Sequence, residues 1–474
     1  MTDPHHTAAE DRPSPASPSS SVSDALRHLV RFDLREHGRL LAFLGRWVVL
    51  GSAVGVLAGV SSAAFLTFLA RATDARADRP WLLYLLPVAG LVVGLVYRYV
   101  GGRSPQGNNL ILEEVHGVEP EGPVPEGTQR WVPRRMAPLV LFGTLATHLF
   151  GGSAGREGTA IQMAGSLTDA FARLFGLRGE SRRLLLIAAI AGGFGAVFGV
   201  PLAGAVFALE VQTVGRLRHD ALVPALTASI VGSYVVHLLD WHHDVTPGIA
   251  LVHLEITPLL LIKVAAAGLA FGAASAVFSE LVFGLKRLFG TIAWSPMRPA
   301  VGGVVVIGLT LLVGTNDYLG LSLPLIGHAY TGDVLLGAFA LKLLFTAVTL
   351  GSGFQGGEVT PLFVIGATLG ATVAHLLHAP PALLAAVGFV AVFAGATNTP
   401  LACTVMGMEL FGTGAVPYFA VGCAVSYVFS AHRGIYEAQR VDGSDPDLRL
   451  GALTERRPGW IPRRRPSDTS MPPP

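Results

Sequence analysis

Eleven apolar stretches, joined by short polar segments, limit what this chain can become. They fall near residues 44–70, 81–100, 136–151, 184–210, 221–239, 257–285, 299–322, 333–350, 361–378, 382–412 and 414–430. About 20 apolar residues in a helix cross the hydrocarbon core of a bilayer. A helix on a soluble core keeps a polar face, and a soluble domain has about a quarter of its residues charged. Here only 14% are charged. The pattern predicts an all-α integral membrane protein, multi-pass, whose main solvent is the lipid bilayer.

Several stretches are too short or too interrupted for simple spans. The stretch 184–210 contains Gly192, Gly193, Gly195, Gly199 and Pro201. Such breaks survive at membrane depth where protein or a water-filled cavity covers the freed backbone. The 57 glycines suit helices that approach closely through small side chains.

Residues 1–23, rich in Pro, Ser, His and Asp, read as a disordered tail. Residues 24–43 alternate Leu and Val with Arg27, Arg31, Arg35 and Arg39, the pattern of an amphipathic helix at a membrane surface. Residues 441–474 read as a second disordered tail. The membrane domain therefore spans 24–440. The excess of Arg before the first span predicts a cytoplasmic N-terminus, and both termini are read as cytoplasmic, with the protein in the inner (plasma) membrane. The first residues lack the charged-then-apolar pattern of a cleaved signal peptide. A net charge of +2 gives no field for nucleic acid. Cys403 and Cys423 lie in apolar segments and read as buried free thiols.

The chain repeats itself. Gly155-Arg156-Glu157-Gly158-Thr159 recurs as Gly356-Gly357-Glu358-Val359-Thr360, 201 residues later. Pro201-Leu202-Ala203 followed by Glu210 recurs as Pro400-Leu401-Ala402 followed by Glu409, at an offset of 199. Repeated halves with broken helices, here roughly 44–250 and 257–440, point to a transporter-type fold with its site at the repeat interface.

Three Gly-rich segments are placed to open helices inside the membrane: Gly107-Asn108-Asn109, Gly151 to Thr159, and Gly351 to Pro361. A helix N-terminus offers unpaired N–H groups and a partial positive charge. Several such ends converging make an anion site that holds no full charge and so lets the ion leave. Glu157 lies in the second segment. An intramembrane acid is a functional candidate by default: its carboxylate can occupy an anion site, or take a proton and swing away. Helix capping is the plainer reading of Asn108 and Asn109 and is compatible with a pore role.

These motifs resemble the CLC anion channel and transporter family over roughly residues 40–440. Gly155 to Thr159 is similar to the family's gating-glutamate motif, Gly-Arg-Glu-Gly-Pro. Gly357 to Pro361 resembles its Gly-x-Phe-x-Pro motif, and Tyr436 in Gly434-Ile435-Tyr436 falls where the family has an anion-coordinating tyrosine. The resemblance implies an inverted-repeat bundle with broken and tilted helices, a homodimer with one pore per subunit, and halide transport. It implies Glu157 and Glu358 as gating and proton-transfer groups. It implies anion binding by Gln106, Gly107, Asn108, Asn109, Gly155, Arg156, Gly158, Val359, Thr360 and Tyr436.

The departures from the pattern refine the expectation. The family's chloride-type first motif is Gly-Ser-Gly-Ile-Pro; here Pro105-Gln106-Gly107-Asn108-Asn109 has no Ser hydroxyl. The second motif replaces Phe with Val359 and introduces Glu358. Both changes resemble the bacterial branch implied to exchange fluoride for protons. Fluoride is small and strongly hydrated, so its dehydration needs strong donors. The amides of Gln106 or Asn108, the Thr360 hydroxyl and the Tyr436 phenol are such donors, and Glu358 becomes one when protonated. Chloride/proton exchangers of the family carry an acid where this chain has Val211. The expected function is thus fluoride export in exchange for protons, with a chloride channel or chloride/proton exchanger as the alternative.

Other polar residues have plainer readings. Glu210 and Glu409 cap or brace helices. Lys263 and Lys342, near the starts of apolar spans, snorkel to the interface. His148 packs. Asp240-Trp241-His242-His243-Asp244 is solvated in a loop rather than a metal site. Residues 116–135 form an extra loop. No nucleophile–base pair near the midplane and no phosphate-loop signature are present, so no enzymatic activity, cofactor or ATP coupling is expected.

Overall fold

The computed structural model describes residues 34–117, 131–239, 241 and 255–441. The tail calls and residues 24–33 of the amphipathic segment lie outside the described residues, as do most of the loop 116–135 and all of Asp240 to Asp244 except Trp241. The chain divides into two compact units, Met1–Trp47 and Val48–Pro474. In the first, the described residues are helical; Leu40, Leu41 and Phe43 are exposed, and the Arg46 guanidinium stands 5.5 Å over the Trp47 ring.

Sixteen α-helices are present among the described residues. They are α1 (Leu34–Asp78), α2 (Leu86–Val100), α3 (Asn108–His116), α4 (Met136–Leu149), α5 (Glu157–Leu174), α6 (Gly179–Phe198), α7 (Pro201–Glu210) and α8 (Leu222–Leu238), then α9 (Pro258–Gly290), α10 (Met297–Val313), α11 (Leu323–Thr331), α12 (Ala338–Gly351), α13 (Val359–Leu377), α14 (Pro381–Thr397), α15 (Pro400–Phe411) and α16 (Val416–Phe429). The only strands among the described residues are β1 (Thr213–Val214) and β2 (Arg440–Val441), a two-residue parallel pair.

The two halves carry the same series of eight helices. Helices α4, α5 and α6 begin at 136, 157 and 179; α12, α13 and α14 begin at 338, 359 and 381, a constant step of 202. The backbone of Gly155 pairs with that of Gly357 at the same step. This moves the sequence match by one residue. Glu157 corresponds to Val359 as the first residue of its helix, and Glu358 corresponds to Arg156 at the N-cap.

Broken stretches end where local chemistry requires it. The stretch read over 184–210 splits at Gly199, which takes φ 71° at the end of α6, and Pro201 opens α7. Proline suits a helix's first turn because it has no N–H to leave unpaired. The stretch over 382–412 splits likewise, with Asn398 at φ 57° and Pro400 opening α15. The stretch 333–350 has its helix at Ala338–Gly351, preceded by the short α11, and 299–322 shortens to Met297–Val313.

Six helical segments among the described residues are long and apolar enough to cross a membrane. Their surroundings sort them. The apolar windows of α6 and α13 are 89% and 83% buried within the protein, whereas those of Pro80–Val100 and α9 are 28% and 39% buried. Helices α6 and α13 therefore form the centre, and the other two present most of their apolar surface outward, as lipid contact demands. Small residues allow the central packing: α13 lies so close to α14 that a Cβ at Gly366 would stand 2.0 Å from Gly388 O, and one at Gly370 2.0 Å from Leu384 O.

An aromatic core joins the halves. Phe194 and Phe207 stack at 4.5 Å, and both stack on Phe393 of the other half at 6.0 and 5.7 Å. Phe198 reaches Phe363 at 5.1 Å, and Phe363 stacks on Phe389 at 4.0 Å. Offset stacks and edge contacts of this kind stabilise by about 0.5–1.5 kcal/mol per pair beyond area burial.

Glu210 and Glu409 brace the halves reciprocally. Glu409, in the last turn of α15, accepts the N–H groups of Leu202 and Ala203 at the start of α7, at 2.9 and 2.7 Å. Glu210, ending α7, accepts those of Leu401 and Ala402 at the start of α15, at 3.1 and 2.8 Å. Each carboxylate thus satisfies unpaired donors of the other repeat's helix at its positive end.

Lys342 corrects the snorkelling expectation. It is fully buried, and its Nζ donates to Ser153 Oγ (2.9 Å), Gly320 O (2.7 Å), Ser322 Oγ (2.9 Å) and Tyr318 O (3.3 Å). The ammonium finds its oxygens inside the protein, on segments far away in sequence. Lys263, by contrast, is half-buried and donates to His378 O at 2.9 Å.

Candidate functional site

The site is built where α3, α5 and α13 begin. Gly107 turns the chain into α3 with φ 59° and ψ −134°, a conformation that suits glycine alone. The turns before α5 and α13 pair through two backbone hydrogen bonds, Gly155 N–H to Gly357 O (2.6 Å) and Gly357 N–H to Gly155 O (2.9 Å). A Cβ on Gly155 would stand 2.9 Å from Gly357 O, Pro361 Cδ and Glu157 Oε2 alike, so the approach requires glycine.

Glu157 occupies this junction with no exposed surface. Its Oε2 accepts the N–H of Arg156 and the N–H of Thr360, both at 3.1 Å. Its Oε1 accepts the Thr360 hydroxyl and lies 3.6 Å from Arg156 Nε. One carboxylate therefore gathers donors from the first turns of two helices, one in each repeat. Backbone N–H groups at helix starts, a hydroxyl and a guanidinium make a seat for an anion, and here the protein's own anion sits in it.

The remaining motif residues surround this seat. Asn108 Nδ2 lies 3.0 Å, and Glu358 Oε2 3.8 Å, from where a Cβ on Gly158 would be. Asn108 Oδ1 is buried and has no hydrogen-bond partner among the described residues. Val359 and Thr360 are buried. Asn108 and Tyr436 line one cavity of about 10 Å³, with Ile111, Leu112, Ile161, Ile190, Phe207 and Val211. That is at the lower bound of the space one water needs, and Val211 makes its lining apolar at the point where chloride/proton exchangers are implied to have an acid.

Two residues sit apart from the seat. Gln106 is exposed. Asn109 turns away: its Oδ1 accepts the Ala438 N–H at 3.1 Å and so ties the segment that follows Tyr436. The structure adds Gln162, which the sequence reading did not single out. It is 6% exposed, its Oε1 has no hydrogen-bond partner among the described residues, and its Nε2 stands 3.3 Å from where a Cβ on Gly107 would be. Its place as the sixth residue of α5 is the one sequence signal that could have found it.

The wall behind the seat is hydrogen-bonded to α12. Ser153 N–H donates to Thr349 Oγ1 at 3.1 Å, and Ser153 Oγ meets Thr346 Oγ1 at 2.9 Å besides accepting from Lys342. His148 is buried with Nδ1 at 2.9 Å from Thr144 O and Nε2 at 3.1 Å from Ala154 O. Cys403 and Cys423 are buried free thiols.

Comparison with known proteins agrees with this architecture. Residues 89–431 match the family model described as voltage gated chloride channel. The chain is 45% identical over 430 residues to a chloride/fluoride channel protein of Pseudomonas syringae pv. tomato, covering 87% of this chain and 90% of that protein. It is 26% identical over 389 residues to the H(+)/Cl(-) exchange transporter ClcA of Cronobacter sakazakii, covering 77% and 81%. Among solved structures, it superposes on a CLC-type fluoride/proton antiporter with a TM-score of 0.77 at 33% identity, covering 84% of this chain and 98% of that one. An all-α bundle of two matching helix series, with helix N-termini meeting around a buried glutamate, and a family match over most of the chain lead to one assignment: this chain is a membrane protein of the voltage-gated chloride channel (CLC) family.

Proposed function

We propose that the protein carries a halide across the membrane, exporting fluoride in exchange for protons, with Glu157 as the gate. The carrying observation is the seat of Glu157, whose carboxylate holds donors from both repeats, Arg156 N–H, Thr360 N–H and the Thr360 hydroxyl. In this reading a carboxylate and a halide compete for one set of donors. Protonation removes the carboxylate's charge, Glu157 leaves, and the anion enters. When the anion departs, the deprotonated side chain returns, so one group couples the two ions.

Fluoride is favoured over chloride by the donors available. The amide of Asn108, the Thr360 hydroxyl and the Tyr436 phenol face a small ion, and Glu358, beside Gly158, joins them when protonated. The relative named as a chloride/fluoride channel protein and the antiporter structure support the same choice. The functional unit is a homodimer in the inner (plasma) membrane with both termini cytoplasmic, and the repeat halves, roughly 44–250 and 257–440, enclose the pathway.

The test is efflux from liposomes holding the purified protein, with fluoride, chloride and pH electrodes read together. Fluoride efflux with opposing proton movement is expected. Chloride efflux as fast as fluoride would overturn the fluoride assignment in favour of a chloride-type protein, and the proton trace would then separate exchanger from channel.

A further inference from the structure

The segment that presents Tyr436 has no regular structure between α16 and β2, yet it is held at several points. Ile435 N–H donates to Ala396 O at 2.8 Å. Ala438 N–H donates to Asn109 Oδ1 at 3.1 Å. The most connected group is the side chain of Gln439, which is half-buried. Its Nε2 donates to Val211 O and to Thr397 O, each at 2.9 Å, and its Oε1 accepts Asn398 Nδ2 at 2.8 Å.

The two carbonyls are not equivalent bystanders. Val211 is the C-cap of α7, and Thr397 is the last residue of α14. Carbonyls at helix ends lack intrahelical partners, and a primary amide has two N–H groups to give. Gln439 therefore satisfies one helix end from each repeat with a single nitrogen. Asn398, 3% exposed and left-handed at φ 57°, completes the bracket. Gly434 leaves room for it: a Cβ there would stand 2.7 Å from Asn398 Nδ2 and 3.2 Å from Gln439 Oε1.

We propose that Gln439 is a positioning residue that holds Tyr436 in the anion path and makes its position depend on how the two repeats stand to each other. This rests on the reading that Tyr436 lines the path. Both Tyr436 and Val211 border the same narrow cavity, so a bracket between the Tyr436 segment and the Val211 carbonyl sets that cavity's width. Released from it, the segment keeps its backbone bonds at Ile435, Ala438 and Arg440 but loses the one side chain that bridges the Val211 and Thr397 carbonyls, and the constriction widens. The expected result is lost discrimination between small and large anions and lost proton coupling.

The experiment is anion and proton efflux from liposomes with wild type, Gln439→Ala, Tyr436→Ala and the double variant. Gln439→Ala is expected to lower the fluoride-to-chloride rate ratio by about tenfold and the protons moved per anion with it; the double variant is expected to be no worse than Tyr436→Ala alone, since coupled residues are non-additive. Both readouts are ratios, so a loss of folded protein leaves them unmoved and a merely structural role predicts wild-type values. Wild-type ratios in Gln439→Ala, or fully additive effects in the double variant, would overturn the proposal. Should Gln439→Ala not fold, Asn109→Ala frees the same segment from its other side; reduced ratios are expected there, and wild-type ratios would overturn the proposal. If the wild type carries chloride and no fluoride, the fluoride assignment fails by itself, and the same comparison on chloride against nitrate still decides the role of Gln439.

Discussion

At the scale of the residue, the seat of Glu157 makes sharp demands. In the proposed mechanism Glu157→Ala removes the group that competes with the anion and takes the proton. Anion flux is expected to persist while proton movement disappears, which a pH electrode on liposomes reads directly. Thr360→Val deletes one hydroxyl donor to the carboxylate and keeps the volume. A hydrogen bond to a charged group contributes about 1.5–3 kcal/mol, and the competing halide uses the same hydroxyl, so fluoride affinity, measured by titration calorimetry in a Glu157→Ala background where the carboxylate no longer competes, is expected to fall by about tenfold or more. Lys342 carries a different demand. Lys342→Met takes the shared donor from four oxygens; the Ser153 and Ser322 hydroxyls keep Thr346 and Leu319 as partners, whereas the Tyr318 and Gly320 carbonyls lose this donor, and unpaired buried polar groups cost about 1–3 kcal/mol each. A fall in melting temperature is expected, measured in detergent by scanning fluorimetry. Sequence alone made Glu157 and Thr360 visible because the motif names them. It misread Lys342, since the oxygens that keep a buried ammonium content sit on Ser153 and on the turn from Tyr318 to Ser322, which no local pattern joins to it.

At the scale of the element, the unit that matters is the broken helix. A glycine or asparagine followed by a proline announces each break: Gly199 before Pro201, and Asn398 before Pro400. The chain thus states that α7 and α15 start inside the protein. It does not state what meets their unpaired N–H groups. The answer is a glutamate from the opposite half, Glu409 for α7 and Glu210 for α15. Capping interactions of this kind contribute about 0.5–2 kcal/mol. Glu409→Ala and Glu210→Ala are each expected to lower stability by about that amount, and the double variant to lose roughly the sum, because the two caps share no atom. Thermal unfolding of the three variants checks this. A double variant far less stable than the sum would show that the two braces act as one.

At the scale of the whole molecule, the duplication organises everything else. The constant step of 202 through α4–α6 and α12–α14 brings Gly155 against Gly357, and with them the starts of α5 and α13. The aromatic stack of Phe194, Phe207 and Phe393 and the reciprocal glutamates join the same two halves. Packing this close leaves little tolerance. Gly366→Leu would drive a side chain into the Gly388 carbonyl, where even a Cβ stands at 2.0 Å. Overpacking costs about 1–3 kcal/mol and more where backbone must move, so this variant is expected to lose yield of folded protein, seen as aggregation on size-exclusion chromatography.

The amino-acid order by itself determined the solvent of this protein, the helices and their breaks, and Glu157 as the candidate acid. Each follows from local physics: apolar length, glycine and proline conformation, and the anomaly of a carboxylate amid apolar residues. Only the tertiary structure decided which ends meet. The repeat register shifts by one residue, pairing Glu157 with Val359 rather than with Glu358; Asn109 turns to the Tyr436 segment; and Gln439 bridges two helix ends. These are hydrogen bonds between groups some 200 or more residues apart in several cases, such as Glu157 with Thr360 at a separation of 203. Their partners are selected by the packing of two halves against each other, which the periodicity of either half alone does not encode.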